Sequence, residues 1–298
     1  MKSIATLLLT LPLLHASALG AVVFADSFDR PDNRNIDAVL TGITNNTLDA
    51  LPADAVYTQP WLDPNNRAPT YGVQDGDATN GGGAQILTNQ LQLAVGAGTS
   101  NAFVNHNFTD AGLLGAGGFT VSLDVTGFAQ TGYQQGGAFA IGMSLAEANS
   151  AQDAFNLTPG RMTGAFNDAS TIGAAVPGVV VSDFWLALRG NNSLAWGGSG
   201  GNVMGITGLA GKTGTISATF LFSDFNAGST VNYEIFLNSV SRGTGSFTWS
   251  GTGENYIGLD ARDSSGVSLN NFNVSTVPEP SAVVLGLVGL AGLLRRRR

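Results

Sequence analysis

Apolar side chains recur at every second position through most of residues 22–275, and that period is the strongest constraint on what this chain can become. In GFTVSLDVTGF, Phe119, Val121, Leu123 and Val125 fall on one face, and Thr120, Ser122, Asp124 and Thr126 on the other. TISATFLF repeats the pattern with Ile216, Ala218, Phe220 and Phe222, and VNYEIFL with Val231, Tyr233, Ile235 and Leu237. A strand with one apolar and one polar face belongs in an antiparallel sheet whose outer side meets water. Gly, Asn and Asp clusters separate the strands, and LRGNNSLAW and RDSSGVSL read as hairpins. Composition agrees: 41 Gly, but two Lys and four Glu, leave little from which to build long helices. LAEANSAQDAF alone has helical spacing, for two turns at most. Roughly a dozen strands need two packed sheets rather than one. The expectation is an all-β chain whose body is one antiparallel two-sheet sandwich, with long surface loops over the Asn- and Pro-rich stretch 31–70.

Several chemistries are excluded at once. There is no Cys, which removes thiolate metal sites, Cys nucleophiles and redox function. The two histidines are His15, in the N-terminal apolar segment, and His106, so no multi-His metal centre can form. The formal charge is −8. Setting aside Lys2, Glu279 and the four terminal arginines leaves 8 basic against 20 acidic side chains, a body near −12. Such a body repels nucleic acid and anionic membrane surfaces, and nucleic-acid binding is not expected.

The two ends read as addresses. Residues 1–21 have one positive residue, an apolar run from Ile4 to Leu14 and then small residues, the layout of a secretory signal peptide cut by signal peptidase between Ala18 and Ala21. At the other end Pro278 and Pro280 break the preceding strand, and Ser281 to Leu294 is an uncharged run of fourteen residues. As a helix it spans ~21 Å, short of a ~30 Å hydrocarbon core. Arg295, Arg296, Arg297 and Arg298 snorkel to the cytoplasmic headgroups and keep the body outside. A permanent C-terminal anchor is the other reading of this segment.

Pro278-Glu279-Pro280, the apolar run and the arginine cluster together resemble the PEP-CTERM sorting signal of Gram-negative bacteria. The resemblance covers residues 277–298. It implies a transient transmembrane helix in the inner membrane, removal by an exosortase-type processing enzyme, and export to the cell surface or extracellular matrix.

The body, residues 22–276, resembles a concanavalin A-like (laminin G-like) jelly roll. VVFADSFDRPDN at its start and ENYIGLDARDSSGVSLNNFNVST at its end carry the likeness. It implies chain ends that lie close together, and relatives that bind sugars or hydrolyse β-glycans. Hydrolases of this fold place their carboxylates as Glu-x-Asp-x-x-Glu, and no such motif occurs here. Asp124 and Glu234 lie mid-strand, but both fit a solvated face. The strand VVVSDFWLALRG sets Asp183, Trp185 and Arg189 on one face, and YIGLDAR does the same with Tyr256, Asp260 and Arg262. An aromatic ring beside charged hydrogen-bonding groups suits a sugar surface; each set equally reads as a surface ion pair with a half-covered ring. Trp61, Trp196 and Trp249 are further aromatic candidates.

For a metal, Asp75, Asp77 and Asn80 in VQDGDATNGGG offer hard oxygen ligands suited to Ca2+. Asp26, Asp29 and Asp32 offer a similar set, though both groups also serve as turn-capping residues. His106 reads as a core-edge residue. The functional expectation is an exported, non-catalytic β-sandwich that binds extracellular polysaccharide. A glycoside hydrolase or lyase of the same fold, and a purely structural matrix protein, are the alternatives.

Overall fold

The computed structural model describes residues 20–33, 36–44, 56–58, 84–93, 100–128, 136–150, 172–175, 180–198, 201–251, 253–261 and 266–277. Most of the expected signal peptide 1–21 and of the expected sorting signal 277–298, along with Trp61, Arg262, Asp75, Asp77 and Asn80, lies outside them. Among the described residues no helix is long and apolar enough to cross a membrane.

Sixteen strands are described: β1 (Val22–Asp26), β2 (Ile43–Thr44), β3 (Tyr57–Thr58), β4 (Gln85–Ile86), β5 (Leu91–Leu93), β6 (Ser100–Val104), β7 (Gly118–Phe128), β8 (Gly136–Met143), β9 (Phe184–Arg189), β10 (Ser193–Gly197), β11 (Met204–Ile206), β12 (Gly214–Leu221), β13 (Thr230–Leu237), β14 (Val240–Thr248), β15 (Tyr256–Ala261) and β16 (Val267–Thr276). Two short helices accompany them, α1 (Ala111–Gly115) and α2 (Leu145–Ser150). Asp110 caps α1 by accepting from Leu113 N–H at 3.0 Å. Ser144 and Glu147 cap α2 reciprocally: Glu147 Oε2 accepts from Ser144 N–H, and Ser144 Oγ accepts from Glu147 N–H.

Every pairing between these strands is antiparallel, and they form two sheets. The first runs β14-β13-β12-β7-β16-β1-β2, with β5 also on β16 and β4 on β5; the second runs β11-β10-β9-β8-β15-β6-β3. Residues 21–277 form one compact unit. Its first and last strands pair in the middle of the first sheet, Phe24 opposite Val274 and Asp26 opposite Phe272.

The alternating strands behave as their period dictates. Ile216 faces Leu123 and Phe220 faces Phe119, and all are buried in the core between the sheets. Phe184, Phe220, Tyr233 and Phe247 interlock there as rings 4.9–6.4 Å apart. The polar alternates line the outer side, where Thr120 and Thr219 hydroxyls meet at 2.9 Å.

Three expectations are corrected. RDSSGVSL is not a hairpin: β15 lies in the second sheet and β16 in the first, so the chain crosses the sandwich there. The stretch 31–70 holds the short strands β2 and β3. The second sheet is not half-solvated; all eight residues of β8, all six of β9 and all five of β10 are buried. By contrast LRGNNSLAW is a hairpin, Arg189 opposite Ser193, with Asn192 at φ 60° in its turn.

The Asp-Ser-Phe-Asp-Arg opening is structural. Asp26, fully buried, takes both arms of the Arg30 guanidinium at 2.7 and 2.9 Å. It also accepts from Phe28 N–H at 2.7 Å and from the Tyr57 hydroxyl at 2.9 Å. Breaking such a buried pair from one side costs ~3–5 kcal/mol, because the remaining charge is stranded. Asp29 is exposed, and Asp32 accepts from Thr88 N–H at 2.8 Å. These three carboxylates serve separate ends. Among the described residues no cluster of three His, Asp or Glu side chains is placed to hold a metal.

Candidate functional site

The sugar face expected on β9 is closed. Phe184, Leu186 and Leu188 point into the inter-sheet core, and Trp185 and Ala187 pack into a second apolar cluster on the opposite face. That face of the sheet is built from small residues: Ala138 and Ala140 of β8, Ala187 of β9 and Ala195 of β10. Ala148 of α2 and the loop residues Val180 and Val203 join the same cluster. Trp185 is 0% exposed, Arg189 1% and Asp260 0%, so none of them presents a binding surface. Tyr256 is half-buried edge-on against Phe103, and burial raises its hydroxyl pKa. Trp196 and Trp249 are buried in the inter-sheet core. His106 is a core-edge residue, its ring edge-on to Phe108 at 4.8 Å, and burial lowers its pKa.

Asp183 has a different setting. It lies just before β9 and lines a cleft of about 530 Å³. That volume is within the range of small-molecule sites. One wall holds Gly197, Gly198, Gly201 and Asn202, at and after the end of β10; the other is β13 with the edge strand β14. Tyr233 and Phe247, both half-buried, supply aromatic surface, and the buried Phe184 ring stacks behind Phe247 at 5.6 Å.

Glycines let neighbouring segments pack closely within each wall. A Cβ on Gly198 would lie 2.0 Å from the Asp183 carbonyl oxygen, and one on Gly245 would lie 2.4 Å from the Tyr233 hydroxyl. A Cβ on Gly142, at φ +77°, would collide with the Asp183 side chain. The carboxyl is therefore held in one place, accepting from Ser250 N–H at 2.9 Å. Burial pushes its pKa to about 7, against the pull of the Ser250 hydrogen bonds and with a smaller push from Glu147. Near neutrality this group both donates and accepts hydrogen bonds, which matches the two-way chemistry of a hydroxyl ligand.

Asp124 and Glu234 are both on the outer side of the first sheet. Asp124 accepts from the Thr215 hydroxyl and from Asn271 at 2.8 Å, and Glu234 accepts from the Ser241 hydroxyl at 2.6 Å. Asp124 faces Thr215 on β12, whereas Glu234 faces Thr219, four residues farther along. That offset is ~14 Å at 3.4 Å per residue, beyond the ~5–9.5 Å that either glycosidase geometry needs.

Of the six side chains expected to bind ligand, Asp183 lines the cleft; Tyr233, Phe247 and Asn202 beside it were not singled out by sequence. Their signal was available in the glycine pairs of GGSGGN and RGTGSF, which flank both walls.

The chain thus has an all-β, two-sheet antiparallel architecture with a cleft lined by residues of both sheets. Solved structures similar to it include the Emp46p carbohydrate recognition domain in its potassium-bound form, at TM-score 0.41 and 10% identity, covering 74% of this chain and 88% of that one. The legume lectin-like domain from Entamoeba histolytica gives TM-score 0.38 and 11% identity over 65% of this chain and 85% of that one. The VIP36 exoplasmic/lumenal domain, Ca2+/Man3GlcNAc-bound, gives TM-score 0.37 and 9% identity over 65% and 81%. No family model and no curated protein matches the chain.

Proposed function

We propose that this is an exported, non-catalytic carbohydrate-binding protein with a concanavalin A-like jelly-roll body, sorted through its PEP-CTERM-like ending to the cell surface or matrix. The observation that carries the binding reading is the cleft: Asp183, the half-buried rings of Tyr233 and Phe247 and close-set glycine backbone line one small-molecule-sized space. Aromatic rings stack on the apolar faces of sugars, and the carboxyl takes hydroxyls. Among the described residues lining the cleft, Asp183 is the single carboxyl, whereas hydrolysis of a glycosidic bond uses two. Export rests on residues 1–21 and 277–298, through signal peptidase and an exosortase-type enzyme acting at the inner membrane.

The test is retention of the purified chain on gels of cellulose, xylan, laminarin and alginate, with Ca2+ and with chelator. Selective retention is expected on one or two of them. Asp183→Asn weakens it by about 1.5–3 kcal/mol, the worth of a hydrogen bond to a charged group. Trp185→Phe, buried on the far side of the second sheet, leaves retention unchanged. Loss of retention with chelator would assign a Ca2+ role to Asp75, Asp77 and Asn80. Retention on none of the gels leaves a structural matrix protein.

A further inference from the structure

The outer side of the first sheet carries a second hollow, about 430 Å³, bounded by Thr219, Leu221, Asn232, Glu234 and Thr244. Strand alternation puts these side chains on the face opposite Phe247 and the cleft. Yet hollow and cleft have Tyr233, Thr244 and Gly245 in common. Because β14 is the last strand of its sheet, the two spaces adjoin across a free edge. At Gly245, one of the residues they share, no side chain projects from the edge strand, and the Tyr233 hydroxyl occupies the place a Cβ would take.

The hollow has its own recognition chemistry. Leu221, 48% exposed, gives an apolar rim, while the Thr219 and Thr244 hydroxyls, the Asn232 amide and the Glu234 carboxyl supply hydrogen bonds. No Lys or Arg is among the described residues that line either space. That combination favours a neutral, hydroxyl-rich ligand over an anionic one.

We infer that the ligand is an uncharged chain of several sugar units that turns over the β14 edge and occupies cleft and hollow together. This rests on the carbohydrate reading of the cleft and adds to it the length and charge class of the ligand. A terminal monosaccharide fills one space and gains nothing from the other. A chain held in the cleft delivers its neighbouring units to the hollow intramolecularly, so affinity climbs with length.

Calorimetric titration of the purified full-length chain in detergent, with gluco-, xylo- and mannan-derived oligosaccharides from disaccharide to hexasaccharide, tests this. In one series the hexasaccharide binds at least about tenfold more tightly than the disaccharide. In Leu221→Lys, which blocks the hollow from an exposed position, the hexasaccharide binds no more tightly than the disaccharide does. Glu234→Gln reduces the gain with length in the same direction. Equal affinity at all lengths, or a gain that survives Leu221→Lys, overturns the two-space geometry and leaves binding in the cleft standing. Absence of binding in every series, together with no retention on any polysaccharide gel, removes the carbohydrate reading itself.

Discussion

Asp183 shows how a fold can hold a carboxyl partly protonated without a basic partner. Gly142 lets backbone close on it, desolvation outweighs the Ser250 hydrogen bonds, and the pKa rises from 3.8 to about 7. The consequence for stability follows from linkage. A folded-state pKa above the unfolded one means the folded chain binds more protons between those two values. The Asp183 contribution is therefore complete below about pH 4 and is lost as pH rises through about 7. Thermal melts of the parent and of Asp183→Asn between these limits check it. The parent should lose stability relative to the variant across this window, and two parallel curves would show that the carboxyl is not displaced from its usual range. Asp26 is the contrasting case, since its burial is matched by the two-armed Arg30 contact and by the Tyr57 hydroxyl. The sequence placed both aspartates among candidate binding groups. Residue type alone could not separate the two, because the difference lies in what the fold sets beside each carboxyl: Arg30 and Tyr57 at Asp26, Gly142 and the Ser250 N–H at Asp183.

At the scale of elements, legibility followed solvent exposure. Strands β7, β12 and β13 have one wet face, so their two-residue period named their core side chains correctly, Phe119 to Val125 and Ile216 to Phe220 among them. Strands β8, β9 and β10 have no wet face. GGAFAIGM, FWLALR and SLAWG are continuous apolar or small-residue runs, the pattern of strands covered on both sides. Reading β9 as alternating made Trp185 a surface ring. The Ala-rich face around it now carries a specific expectation. Ala138 is 0% exposed and faces the small-residue layer with Ala140, Ala187 and Ala195. Ala138→Leu overfills that layer and lowers stability by about 1–3 kcal/mol, as overpacking does. Urea unfolding reads the loss, and Thr126→Leu on the wet face of β7 serves as the control with little change. An unaltered midpoint in Ala138→Leu would mean that the layer over β8 and β9 is loose enough to admit a ligand, and would return Trp185 to consideration.

For the molecule as a whole, the closing strand decides what can be removed. β16 pairs with β7, β1 and β5, so it joins the two halves of the first sheet. It buries Val267, Leu269, Phe272 and Val274, each worth about 1.5–3 kcal/mol, in total as much as the ~5–15 kcal/mol by which a typical domain is stable. A chain ending before Val267 is therefore expected not to fold. Val277 closes the unit, with its N–H donating to the Gly118 carbonyl at 3.2 Å. A chain truncated after Val277 keeps every strand of both sheets, and its melting temperature in circular dichroism should equal that of the full chain. This is what a detachable sorting segment requires: the proposed processing enzyme can cut beyond Val277 after export without unravelling the sandwich. Should the truncated chain melt lower or aggregate, residues 278–298 belong to the folded body, and their reading as a disposable address fails.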